Sequence, residues 1–111
     1  MNMPPVFDHK DLAYDLKLLS KKYLSIHMDV DYIRNLIRED ARFGRRCQEF
    51  HPDRVFRIDI AIAALGPFGQ DRCCLVYERD GNECHFWLVY DNEGNRWGQD
   101  IMDRVNLRRN S

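Results

Sequence analysis

The first half of the chain places apolar side chains at the spacing of an α-helix. One apolar stripe predicts an amphipathic helix over residues 8–24, with Asp8 as its N-cap. A second stripe predicts a helix over residues 30–43, which Asp29 would cap and Gly44 would end. The first stripe consists of Leu12, Leu16, Leu19 and Tyr23, and the second of Val30, Ile33, Ile37 and Ala41, with Leu36 at its margin.

From Arg54 onward the pattern changes to the alternation of a β-strand. Turn-forming residues at 66–69 end this first strand. Similar patterns predict further strands over residues 72–79, 82–90 and 96–105. The apolar side of the first strand carries Phe56, Ile58, Ile60 and Ile62.

The dipeptide Asp80-Gly81 lies between two alternating segments and predicts a two-residue type I′ turn. Residues whose numbers add up to 161 then face each other across the hairpin, so Glu78 lies opposite Glu83. Two carboxylates that face each other in a dry core repel, so we expect this side of the sheet to be in contact with water.

These elements predict one α+β domain over residues 1–111, in the order ααββββ. Two N-terminal helices pack on one face of a four-stranded antiparallel β-meander. The covered face carries the isoleucines of the first strand with Leu75, Tyr77, Phe86, Leu88 and Tyr90. The open face exposes a tryptophan and a histidine among charged side chains, and it is the predicted partner-binding surface. It consists of Arg57, Asp59, Glu78, Glu83, His85 and Trp87.

Size and charge narrow the classes of function. The chain has 111 residues, with 17 basic and 18 acidic side chains and a net charge of −1. This length predicts a single domain, and this charge balance excludes a histone-like nucleic-acid binder and a strongly acidic DNA mimic. The sequence begins without the pattern of a secretory signal, and it has no apolar run of membrane-spanning length. We therefore expect a cytoplasmic protein.

A ladder of arginines runs beside the apolar stripe of the second helix and forms a secondary basic patch. Such a ladder suits phosphates or an acidic partner. Asp31, Glu39 and Asp40 lie near enough to neutralise it, which favours a solvated face, and nucleic acid is not the expected partner. Residues 107–111 are expected to form a frayed basic tail. The ladder consists of Arg34, Arg38, Arg42 and Arg45.

The sequence predicts no catalytic site, metal or cofactor. Glu83 and His85 share a face, which is typical of a solvated polar surface as well as of an acid–base pair. Cys84 and His85 point to opposite faces of a strand, whereas Cys47 and His51 have helical spacing near the end of a helical segment. The cysteines lack the paired spacing of a zinc site, so we expect buried free thiols.

The segment His51-Pro52-Asp53 resembles the HPD tripeptide with which J-domain co-chaperones bind an Hsp70. The resemblance covers the tripeptide, Arg54 and a preceding helix, and it implies that these three residues contact a chaperone. The alternation over residues 57–63 predicts a strand where that family has a third helix. The alternative interpretation is that Pro52 ends a helical segment and Asp53 begins a turn.

These observations favour a small non-catalytic protein-binding module whose partner is another protein. An inhibitor or immunity-type protein would block the partner's active site through the open sheet face. The alternative is a cystatin-like or NTF2-like ligand-binding protein or small enzyme, with a pocket between helices and sheet. A homodimer through the edge of the fourth strand is a third interpretation. The pocket of the second interpretation would be lined by Tyr77, Phe86, Tyr90 and Trp97.

Overall fold

The computed structural model describes residues 4–39, 44–51 and 54–111. Its elements in chain order are β1 (Val6–Asp8), α1 (Leu12–Leu19), α2 (Ile26–Arg38), β2 (Arg45–Arg46), β3 (Val55–Ile60), a 3₁₀ helix (Ala63–Gly69), β4 (Cys73–Asp80), β5 (Glu83–Asp91) and α3 (Gln99–Arg109). The five strands form one mixed sheet in the order β1-β5-β4-β3-β2, in which only β1 and β5 are parallel. The α+β class is confirmed, whereas the predicted four-stranded antiparallel order is wrong.

Both predicted N-terminal helices are present, with different ends. α1 begins at Leu12 because Asp8, its predicted cap, belongs to β1 and pairs with β5. α2 begins earlier than predicted, so Asp29 lies in its first turn, where the helix dipole favours a carboxylate. The described members of both core stripes are buried, apart from Leu19 and the marginal Leu36, which are partly buried. Residues 40–43, the predicted end of the second helix, lie outside the described residues.

The β4–β5 hairpin turns one residue later than predicted. Gly81 and Asn82 form the turn, and Gly81 has the positive φ of 63° that a type II′ turn requires at its first position. The pairing therefore shifts by two residues, and Glu78 lies opposite His85 rather than Glu83. Because the shift is an even number, the side chains near the turn keep the faces predicted for them.

A β-bulge at Trp87 exchanges the two faces in the second half of β5. Beyond the bulge Leu88 pairs with Val76, which places both side chains on the same face. The prediction that Leu88 and Tyr90 lie under the N-terminal helices is therefore wrong. Both pack on the opposite side of the sheet, against α3.

The predicted fourth strand is a helix. Trp97, Ile101 and Val105 are four residues apart, and α3 buries the last two against the sheet. The prediction of a strand over residues 96–105 is wrong because this helical spacing outweighs a weak alternation. The expected frayed tail is also wrong, since α3 continues to Arg109 and its last two arginines form ion pairs.

The sheet carries an apolar core on each face. α1 and α2 cover one core, and α3 covers the other. No helix in the described part of the chain is long and apolar enough to cross a membrane. The first core includes Leu12, Ile26, Leu75, Tyr77 and Phe86, and the second includes Val55, Val76, Leu88, Ile101 and Val105.

Candidate functional site

The predicted partner-binding face is largely covered by α3. Glu78, which we expected in contact with water, is 4% exposed. Arg54 Nε and Arg109 Nε donate to its two oxygens at 2.6 and 2.8 Å, and Trp87 Nε1 donates at 3.0 Å. The expectation is wrong because α3 brings Arg109 to Glu78 as a counterion, and because no second carboxylate lies opposite Glu78 in the hairpin.

Two buried carboxylates hold the end of α3. Burial by itself would raise the pKa of Glu78, but the hydrogen bonds from Arg109 and Arg54 outweigh it, so the pKa lies below its ordinary value. On the other side of α3, Arg108 Nη1 and Nη2 donate to the carboxylate of Asp15 in α1, at 2.6 and 2.9 Å. Neighbouring arginines therefore fasten α3 to β4 and to α1, which is a structural role.

The other residues of the predicted face lie in two separate places. Arg57 lies over an indole ring, 4.9 Å from the ring centroid, and Asp59 is ion-paired at the outer side of β3. Near the hairpin turn, His85 stacks on Trp87 with ring centroids 5.4 Å apart, and its Nε2 lies 3.2 Å from a carboxylate oxygen of Glu83. The structure does not bring the six predicted residues together into one open surface.

The arginine ladder is not a continuous basic patch in the described residues. Arg34 donates to one carboxylate on β1 at 2.8 Å and to one on α2 at 3.3 Å. Arg45 lies on β2 and is ion-paired, and Arg38 is half-buried in the last turn of α2. Arg42 lies outside the described residues. The ion pairs of Arg34 and Arg45 weaken the case for a phosphate-binding surface.

All four cysteines are buried and free, as expected. Burial raises the pKa of Cys47 to about 12, so this thiol is neutral near pH 7 and is a poor nucleophile. Burial also raises the pKa of Cys84, which lies in the first core while His85 lies on the opposite face. Among the described residues, no group of three or more His, Cys, Asp or Glu side chains could hold a metal ion.

The HPD-like tripeptide lies between β2 and β3. His51 is exposed, while Pro52 and Asp53 lie outside the described residues. The chain that follows forms the strand Val55–Ile60, where a J-domain would have its third helix. The resemblance therefore does not extend to the fold around the tripeptide.

The four residues expected to line a pocket between helices and sheet are divided between the two cores. Tyr77 and Phe86 are fully buried under α1 and α2. Tyr90 lies on the α3 side because the bulge reverses the faces of β5, and Trp97, which follows β5, packs against the same core. These four residues therefore do not line one pocket, as the ligand-binding interpretation predicted.

The helical layer over the first core covers only one end of β3, where Ile60 is fully buried. Phe56 and Ile58 of β3 are half-buried, although their direct partners on β4, Tyr77 and Leu75, are fully buried. On this face of β3 the cover is therefore lost between Ile60 and Ile58. An open groove lies between α2 and the part of β3 that begins at Ile58, and Phe56 lies outside its lining.

The groove has a volume of about 500 Å³ and mostly apolar walls. On the α2 side, Met28 and Tyr32 line it and are 72% and 65% exposed. Asp29 is its charged wall residue on α2, whereas the side chain of Asp59 lies on the other face of the sheet, where it pairs with Arg45. Asp29 is engaged internally, because its oxygens accept the N–H of Ala63 and the hydroxyl hydrogen of a serine. Large apolar side chains that line an open groove are typical of an interaction site.

The sequence predictions did not identify this groove. Its signal in the sequence is the spacing of Met28, Tyr32 and Leu36, which lie four residues apart and outside the core stripe of α2. This spacing makes a second apolar ridge along the helix. The element that lies beside the ridge depends on tertiary packing, so the spacing alone could not reveal a groove.

Comparisons with protein-family models, with curated proteins and with solved structures found no match for this chain. Function is therefore inferred from the geometry of the groove and of the residues around it.

Proposed function

We propose that the protein is a small, non-catalytic protein-binding domain that docks a partner in the groove between α2 and β3. The observation that carries this proposal is that Ile58, which lines the groove, is half-buried, although its neighbour Leu75 on β4 is fully buried. Covering an exposed apolar surface contributes roughly 25 cal/mol per Å² of apolar area removed from water. A partner that extends the helical layer over β3 would gain this contribution.

Met28 and Tyr32 are the expected anchors of the contact. Tyrosine is enriched among the residues that contribute most to binding, because its ring is large and its hydroxyl can still form a hydrogen bond. Methionine is flexible and fits partner surfaces of different shape. Both side chains are mostly exposed and lie one helical turn apart on α2.

The face predicted from the sequence supports docking less well than the groove. Glu78 and Trp87 are hydrogen-bonded to each other, and Glu78 is also ion-paired to α3. What remains near the surface there is Phe7, Glu83 and His85, a smaller and more polar set. Blocking a partner's active site, as an inhibitor or immunity-type protein does, is one consequence that docking in the groove could have, and an activity assay on the partner would test it.

The test uses the intact protein as bait in a native lysate and compares three forms of it. Tyr32→Ala should weaken retention of the partner at least about tenfold, because a central anchor contributes roughly 2 kcal/mol. Tyr14→Ala is the matched control, since Tyr14 is 61% exposed on α1, outside the groove. A partner that all three forms retain equally would contradict the proposal.

A further inference from the structure

We infer that the ion pair between Asp15 and Arg108 closes the free edge of β5 and prevents a second copy of the chain from pairing with the sheet there. The free edge is the outer main-chain side of residues 87–91 of this strand. β5 lies two strands away from β3 in the sheet, so this inference does not depend on the proposed docking in the groove. An uncovered strand edge carries unpaired N–H and C=O groups, which are a template for another chain.

β1 covers only the first part of β5. It pairs with residues 84–86, and the N–H of His9 then donates to the carbonyl oxygen of Phe86 at 2.9 Å as the chain turns toward α1. β5 itself continues to Asp91. In the described part of the chain, no strand lies on the outer side of residues 87–91. The main-chain groups on this side therefore need other partners.

The ion pair supplies those partners. Arg108 Nη1 donates to the carbonyl oxygen of Trp87 at 2.8 Å, and Asp15 Oδ2 accepts the N–H of Val89 at 3.2 Å. The two side chains also bind each other at 2.6 and 2.9 Å, and they are 13% and 5% exposed. A guanidinium from α3 and a carboxylate from α1 thus meet around the edge, where they replace the donor and the acceptor of a neighbouring strand.

The sequence behind the ion pair favours the addition of a strand. Residues 86–90 read Phe-Trp-Leu-Val-Tyr, an uncharged run of strongly strand-forming side chains. At the end of the run, the carbonyl oxygen of Asp91 accepts the N–H of Asn95, so the following turn covers that position. Trp87 and Val89 are the positions between the two covered ends, and they are the ones that the ion pair occupies.

A second copy of β5 is the partner that fits this edge. In an antiparallel sheet, the two residues of a hydrogen-bonded pair exchange both of their main-chain hydrogen bonds. A twofold axis beside Val89 would let the N–H of each copy donate to the Val89 carbonyl oxygen of the other. Asp15 lies on α1, so α1 must move away from the edge before this pairing can form. The bonds from Arg108 to Asp15 resist that movement.

The neighbouring ion pair on α3 is a matched control. Arg109 and Glu78 are also 13% and 5% exposed, but Glu78 lies on β4, which has a strand on each side. This pair therefore covers no strand edge. Replacing both members of either pair by apolar side chains of similar size removes the charges without leaving one charge buried and unpaired.

The test compares the self-association of three proteins by analytical ultracentrifugation over a wide range of concentration. Wild type is expected to remain monomeric. The double variant Asp15→Leu, Arg108→Met should form a dimer as its concentration rises, whereas Glu78→Leu, Arg109→Met should not. In the dimer, the Val89 amide should exchange with deuterium at least about tenfold more slowly than in the dilute monomer of the same variant, as expected for one additional hydrogen bond.

Circular dichroism shows whether each variant is folded. A folded Asp15→Leu, Arg108→Met variant that stays monomeric would overturn the inference, and so would a dimer in which exchange at Val89 is not slowed. If this variant does not fold, Arg108→Gln decides, because its amide keeps one donor while Asp15 loses its counterion. Arg108→Gln should form the same dimer at higher concentration, and a monomer throughout would be the contrary result. Equal self-association of wild type and both double variants would show that the ion pair does not control the edge.

Discussion

Both faces of the sheet carry an apolar core, but only the helix on one of them, α3, has its end fixed by two buried carboxylates among the described residues. On one face, α1 and α2 cover fully buried aromatic rings such as Tyr77 and Phe86, whose contribution comes from apolar area and close packing. On the other face, the end of α3 is fixed by two arginine–carboxylate pairs, Arg108 with Asp15 and Arg109 with Glu78.

This difference determines how each face should respond to perturbation. Apolar packing depends on shape and volume, and it is insensitive to the protonation of nearby groups. Buried ion pairs fix one helix position, but each pair needs both partners in their charged form. A loss of volume should therefore damage the core on either face, whereas a loss of charge at Glu78 or Asp15 should release the end of α3.

Removing a ring from the first core should have the largest effect on stability. Phe86→Ala should lower the free energy of unfolding by about 4 kcal/mol, because it leaves a cavity between the helices and the sheet. Phe68→Ala is the matched control at an exposed position, and it should cost less than about 0.5 kcal/mol. Denaturant unfolding measures both values, and a loss below about 1 kcal/mol for Phe86→Ala would mean that this core is not closely packed.

Removing the charge of Glu78 should have the next largest effect. Glu78→Gln keeps the size of the side chain but leaves Arg109 without its counterion, so the free energy of unfolding should fall by about 3 kcal/mol. Glu83→Gln, at a half-exposed position on the same hairpin, should change it by less than about 0.5 kcal/mol. Equal losses in the two variants would show that the α3 face does not depend on the Glu78 ion pairs.

Acid should remove the same contribution from the wild-type protein. The pKa of folded Glu78 lies below its ordinary value of 4.5, so the unfolded chain binds the proton first as the pH falls. The stability from this pair is present above pH 4.5 and is lost as the pH falls through the folded pKa. At pH 7 the free energies of unfolding of wild type and Glu78→Gln should differ by about 3 kcal/mol. In unfolding measurements this difference should become smaller below pH 4.5. A gap that stays constant down to pH 2 would exclude this cause.

Local patterns in the sequence predicted the N-terminal helices and the strands from Val55 to Asp91 better than they predicted which elements cover each face of the sheet. The stripe that contains Leu12 and Leu16, and the alternation from Phe56 to Ile62, each depend on neighbours in the chain. The burial of Glu78 could not be predicted in this way, because its partner Arg109 lies 31 residues away on an element predicted as a strand. A charged residue on a strand therefore does not by itself indicate a face open to water.

The sequence predicted neither the bulge nor the groove, because the spacing of apolar residues along the chain specifies neither feature. One extra residue at Trp87 reversed the faces of Leu88 and Tyr90, although the hairpin residues before it kept the predicted faces. The ridge that contains Met28 and Tyr32 was visible as a spacing. Its significance depends on where β3 lies in the sheet, which the spacing cannot specify.

His9 should provide a smaller, pH-dependent contribution at the edge of the α3 face. Its Nδ1 accepts the N–H of Asp11, so the neutral ring carries its proton on Nε2, which lies 3.0 Å from Ser111 Oγ. Burial and the nearby Arg108 lower the pKa of His9 below its ordinary value of 6.5. Stability should therefore fall as the pH drops below 6.5 toward the folded pKa, by about 1 kcal/mol, comparable to one hydrogen bond.

His27→Gln is the control for this contribution, since His27 is exposed on α2. Unfolding curves at pH 7 and pH 5.5 should show a smaller pH dependence for His9→Gln than for His27→Gln. Equal pH dependence in the two variants would mean that another group causes the change.

The smallest effect on stability is expected at Tyr32, on the open wall of the groove. Tyr32→Ala should change the free energy of unfolding by less than about 0.5 kcal/mol, because its side chain is 65% exposed and the core stripe of α2 lies on the other side of the helix. Phe56→Ala should cost more, about 2 kcal/mol, because the Phe56 ring stacks on the buried ring of Tyr77. Denaturant unfolding of both variants would locate the edge of the helical layer. If Tyr32→Ala costs as much as Phe56→Ala, Tyr32 is part of the folded core and is not free to anchor a partner.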